Sequence, residues 1–275
     1  MKSQGFDKQA FLAAHPRCCF CNGERAAEEP DHVPARICFK RKQGPENMEY
    51  PACIPCNRAA AASEQVAALY IRMFDHNPDN LDIRDIKKLI LGVSNNAPEA
   101  LPRLDAAAVE RHRAAVAAGS PDADRFSLSA RTAIVSDAAN RHLELFAVKS
   151  LYAVHYRVRA SFAGPRHRRM VTWAQVGTSA ADYLARRVEE WFADVEVGQR
   201  GNIDLGDQFH YRHGYNRPTG MLGMSMTFGQ SFIFFCALGP ARQMETLDET
   251  PRRYLPVRDL GVGLRRKART DRPKP

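Results

Sequence analysis

The sequence predicts an α+β chain: a cysteine-rich N-terminal segment, then helices, then a C-terminal α+β module built on an antiparallel sheet. Three observations predict this. Six of the seven cysteines fall within the first 56 residues. Apolar residues then recur at helical spacing through much of the chain, as at Val66, Leu69, Tyr70 and Met73. Finally, residues 208–238 hold three closely spaced strand-like runs, two that alternate between apolar and polar and one that is apolar on both faces.

In chain order, residues 6–14 read as a short helix leading to Cys18. Residues 18–56 offer only short extended pieces, such as His32–Phe39. A helix starting near Ile54 or Pro55 runs through the alanines to about Phe74, where Asp75–Asn80 breaks it. Two further helices are expected over 82–94 and 105–117. Asp137 to about Arg159 forms a long helix with Leu143, Phe146, Leu151, Val154 and Val158 on one side. Met170–Gly177 is a candidate strand, and Ser179–Val195 is an amphipathic helix striped by Tyr183, Leu184, Val188, Trp191 and Phe192. Gln208–Tyr215 and Met221–Phe228 alternate as strands, whereas Ser231–Leu238 is apolar on both faces and suits the middle of a sheet. Arg166–Arg169 is expected as a basic turn. The expected division is 1–75, a helical connector 76–125, a module 126–260 and a basic, disordered tail 261–275.

The formal net charge of +9 suits a polyanionic partner such as DNA or RNA, although an Arg-rich soluble protein has the same balance. No run approaches the ~18 apolar residues of a membrane span. The first residues lack the apolar core of a secretory leader, which points to a reducing cytoplasm. There, clustered cysteines mean metal more often than disulfide. Cys18-x-x-Cys21 and Cys53-x-x-Cys56 are two knuckles that together supply the four soft ligands of tetrahedral zinc. Cys19, inside the first knuckle, leaves open which two of Cys18, Cys19 and Cys21 bind; Cys38 and Cys236 read as small core residues. Four thiolates close the zinc shell, so any chemistry lies elsewhere in the segment.

Between the knuckles the chain reads Asp31-His32-Val33-Pro34, then Asn47, and Asn57-Arg58 follow directly behind Cys56. His32 suits a general base, because neutral imidazole accepts a proton near pH 7. Asp31 and Asn57 offer hard oxygens suited to Mg²⁺ or Mn²⁺. Taken singly, Asp-His is a turn, Asn47 a loop residue and Asn57 a helix cap. In the order CCFC, DHVP, EN, CIPCN, within about residues 15–65, the sequence resembles the HNH endonuclease family.

The resemblance implies a zinc-stapled ββα-metal finger, with two strands from 31–50 and a helix after Cys56. It further implies that His32 activates water, that Asp31 and Asn57 hold the catalytic magnesium or manganese, and that Asn47 pins the loop and orients His32. The products would be a 5′-phosphate and a 3′-hydroxyl. Asn57 stands where many members have His, in the manner of the family's HNN variants. The Gly-Lys pair of many members is absent, so Arg58, or Lys40-Arg41-Lys42, is the candidate phosphate contact; a solvated basic turn is the competing reading of the latter.

The resemblance also suggests roles in bacterial or prophage defence or in mobile elements. The C-terminal module carries no catalytic constellation and is free to contact target, a protein partner or a second copy of the chain. The rival class is a non-catalytic zinc finger that binds nucleic acid or protein, for which His32 would be dispensable.

Overall fold

The computed structural model describes residues 6–75, 82–118, 133–164, 166–192, 197–199, 205 and 208–245. The basic tail 261–275 lies outside them.

Helix α1 (Lys8–Ala14) is capped by Asp7, whose carboxylate accepts from the amides of Gln9 and Ala10. Strands β1 (Glu29–His32) and β2 (Glu49–Ala52) form an antiparallel hairpin in which Asp31 faces Tyr50 and His32 faces Glu49. The extended piece expected over His32–Phe39 stops early. Val33 still donates to the carbonyl of Met48, but Pro34 has no N–H to continue the ladder. The chain then turns through two short 3₁₀ segments, Arg36–Cys38 and Lys40–Lys42.

Helix α2 (Ile54–Met73) begins where Pro55 fits the first turn. Its N-cap, Cys53, makes no side-chain cap, and the carboxylate of Glu28 accepts from the Ile54 amide at 3.0 Å instead. Then come α3 (Ile83–Asn96), β3 (Arg103–Leu104), α4 (Ala106–Ala117) and β4 (Ala133–Ile134), which pairs with β3.

Helix α5 (Asp137–Arg159) organises the molecule. It packs on α2 at one side and on the main sheet at the other. That sheet is antiparallel, in the order β5 (His167–Gln175), β9 (Phe232–Pro240), β8 (Met221–Phe228), β7 (His210–Asn216), β6 (Val197–Gln199). Strand β9 lies between β5 and β8 and is covered on both faces, as its doubly apolar sequence requires. Phe234, Cys236 and Leu238 join the core beneath α5, while Phe235 and Ala237 join a second core under α6 (Ser179–Phe192) and α7 (Ala241–Glu245). Gly223 permits the close approach of α6: a Cβ there would meet the Trp191 ring nitrogen at 1.9 Å.

The core beneath α5 is continuous from Cys18 and Phe39 through Val66 and Phe146 to Phe228 and Leu238. Residues of the cysteine-rich segment and of the C-terminal sheet therefore share one apolar interior. The expected basic turn is also partly interior: Arg169 is buried in β5 and donates to the Tyr152 hydroxyl at 2.9 Å.

Candidate metal centre and hairpin–helix site

The two knuckles converge. The ligand atoms of Cys18, Cys21, Cys53 and Cys56 all lie within 4.8 Å of one another. Tetrahedral zinc, with Zn–S near 2.3 Å, sets its sulfurs about 3.8 Å apart, so the cluster can hold a metal such as zinc with small adjustment. Cys18 donates to Arg25 to close the first knuckle's own loop, and Cys19 donates to Pro51, which brings that knuckle beside the second. Cys19 is buried outside the cluster, which settles the ambiguity of the first knuckle. Cys38 and Cys236 are also buried and separate from it, as small core residues.

The hairpin and the first turns of α2 place the other sequence-singled residues. Asp31, 8% exposed, lies with its Oδ2 at 2.5 Å from the Nζ of Lys149, a residue of α5. Asn57 does not cap its helix. Its amide nitrogen donates to Glu29 at 2.8 Å, and its Oδ1 accepts from Lys149 Nζ at 3.5 Å. Glu64, two turns along α2, pairs closely with the same ammonium. The Asp31 and Asn57 oxygens thus converge on one cation, an ammonium carried by Lys149, itself only 2% exposed and 5.1 Å from the Phe20 ring centre. Burial alone would lower the Lys149 pKa, but the charges of Asp31 and Glu64 outweigh it and hold the amine protonated. Burial pushes the Glu64 carboxyl up, and Lys149 offsets part of that.

His32 stands apart from that convergence. Consecutive strand residues face opposite sides, and His32 meets its cross-strand neighbour Glu49, with Nδ1 at 3.3 Å from the carboxylate. Its side chain is 26% exposed. Burial and the charge of Arg36 lower its pKa, with Glu49 and Asp31 pulling the other way, so the neutral imidazole is favoured. Asn47 is exposed in the left-handed region at φ 55°, and its carbonyl accepts from Arg157 of α5 at 3.2 Å. Arg58, Arg41 and Lys42 are exposed, and Lys40 is half-buried with its amide bonded to the Gln208 side chain.

A hard divalent ion matches the oxygen donors in kind but does not fit beside the ammonium, which already takes the same oxygens. Glu49, Glu64 and Lys149 were not singled out from sequence. Lys149 carried one signal: a lone charge within the apolar run Phe146–Val154, which implies burial with a partner. Comparison with family models, with curated proteins and with solved structures finds no match.

Proposed function

We propose that the chain is a zinc-stapled nuclease of the HNH type that hydrolyses phosphodiester bonds, with DNA as its substrate. The observation that supports this best is the convergence of Asp31 and Asn57 oxygens on one cation position at the base of a hairpin–helix unit. The cysteine cluster fixes that unit, and a partly exposed His32 follows Asp31 on the other face of the strand. In this reading the segment is a ββα-metal finger. His32 takes the proton of the attacking water, and Glu49, at its Nδ1, orients the ring so that Nε2 is the accepting nitrogen. Asp31 and Asn57 are the proposed holders of magnesium or manganese when that position is open. Arg58 and the exposed Arg41 and Lys42 supply phosphate contacts.

The test is incubation of the purified protein with plasmid, linear duplex, single-stranded DNA and RNA, with Mg²⁺, Mn²⁺ or EDTA. Cleavage of DNA that falls by about 10²-fold or more in His32→Ala, with nucleic-acid binding intact, is the expected result. Absence of cleavage under every condition by wild type and by Lys149→Met alike, or cleavage indifferent to His32, would overturn the reading.

A second reading is favoured by a specific observation, the ammonium already seated among the oxygens. A zinc-stapled module that binds nucleic acid or protein without cutting it needs no divalent ion there. It predicts nucleic-acid or partner binding that depends on the cysteine cluster and is unchanged in His32→Ala.

A further inference from the structure

The pairing of Asp31 with Lys149 joins residues 118 positions apart, and nothing in the hairpin–helix unit itself requires it. Asp31, Glu64 and Asn57 all come from that unit, whereas the cation comes from the middle of α5. Helix α5 is anchored by Leu143, Phe146, Leu151 and Val154, each at most 1% exposed, so the ammonium is delivered by a rigid element. Two carboxylates and one ammonium leave the cluster one positive charge short of balance. A divalent ion would balance it, yet a dication and an ammonium cannot share the same oxygens in a buried setting, because their repulsion is little screened there.

We propose that Lys149 is an internal latch: its ammonium occupies the position formed by Asp31, Asn57 and Glu64 and shuts it to divalent cations. The nuclease so closed is loaded only when this side chain is displaced. The inference rests on the nuclease reading for the meaning of the position. The occupancy it describes is read separately, as ion binding.

The experiment uses the full chain with its cysteine site loaded with zinc, and Mn²⁺ as the probe. Binding is followed by the electron paramagnetic resonance of free Mn²⁺, and stability by thermal melts with and without the ion. Lys149→Met should bind one Mn²⁺ ion at least tenfold more tightly than wild type. Only the variant should melt higher with Mn²⁺, and Asp31→Asn on that background should abolish both effects.

Wild type binding Mn²⁺ as tightly as Lys149→Met would overturn the latch, as would a variant that binds none. Should Lys149→Met or Lys149→Gln be unfolded without ion, recovery of the fold on adding Mn²⁺ supports the latch, and failure to recover overturns it. A variant that binds Mn²⁺ through Asp31 yet cleaves no nucleic acid supports the latch and counts against the nuclease reading, so the two fail separately.

Discussion

Phe39 belongs to the cysteine-rich segment, yet its ring is 2% exposed, 5.6 Å from the ring centre of Phe209 and 6.2 Å from that of Phe228. Those partners belong to the C-terminal half, Phe228 on β8 and Phe209 just before β7, and they are themselves buried. Replacing Phe39 with Ala removes a ring from the shared core, and Phe→Ala changes of this kind cost about 3–5 kcal/mol. With a urea slope of about 3 kcal/mol per molar, the midpoint should fall by roughly 1–1.7 M.

The assay exploits two local reporters. Both tryptophans, Trp173 and Trp191, lie in the C-terminal half, and the cysteine cluster lies in the N-terminal half. Tryptophan emission and the release of zinc to a chromophoric chelator should therefore unfold at one midpoint, in wild type and variant alike. Zinc release shifted to lower urea while tryptophan emission keeps its midpoint would refute the claim of a single cooperative core.

Three further outcomes are expected. Metal analysis should find about one zinc per chain, and Cys56→Ser should lose it together with solubility, because metal binding and folding are coupled in such sites. Gly223→Ala drives a Cβ into Trp191, 1.9 Å from its ring nitrogen, and should cost about 1–3 kcal/mol with a red shift of tryptophan emission. His155, on α5, is held down to about 4 by burial, by His167 of β5 and by Arg159 of its own helix. The unfolded chain takes up that proton first, so this contribution is complete above about pH 6.5 and is lost as the pH falls towards 4. It amounts to about 3 kcal/mol at most, and urea midpoints measured from pH 7 to 4 should fall less steeply in His155→Gln.

Local signals account for what was legible in the sequence. The span Asp137–Arg159 was read from its apolar stripe and is observed as α5 with those bounds. Met221–Phe228 was read from strict alternation and is β8, with Leu222, Met224, Met226 and Phe228 turned to one core. The cysteine cluster was legible because each knuckle is a complete local device, and two such devices have one economical use. The surroundings of Asp31 were not legible. The spacing of Asp-His, Asn and Cys-x-x-Cys-Asn says which residues the segment contributes, but not what a helix more than eighty residues later brings against them. Nor does it reveal that His32 meets Glu49 across the hairpin, which depends on the register, or that the strand runs regularly through His32 and so turns it to the face opposite Asp31.

The charge balance around Asp31 constrains how the latch would open. Withdrawing the ammonium into an empty state would leave Asp31 and Glu64 buried without a counter-charge, and breaking a buried pair in this way costs about 3–5 kcal/mol. The closed state therefore dominates unless another cation arrives as Lys149 leaves, and ammonium and dication compete for one anionic position. The observed affinity for the dication is then its intrinsic affinity reduced by the open fraction. An opening cost of about 3 kcal/mol leaves under about 1% of chains open, so wild type would bind roughly 150-fold more weakly than a chain whose latch has been removed, and more weakly still at about 5 kcal/mol. The ratio of Mn²⁺ affinities between Lys149→Met and wild type thus measures the closed population itself, provided that Asp31 and Glu64 keep their places. Any ligand that draws the ammonium away, a nucleic-acid phosphate among them, should raise wild-type affinity towards that of the variant and no further.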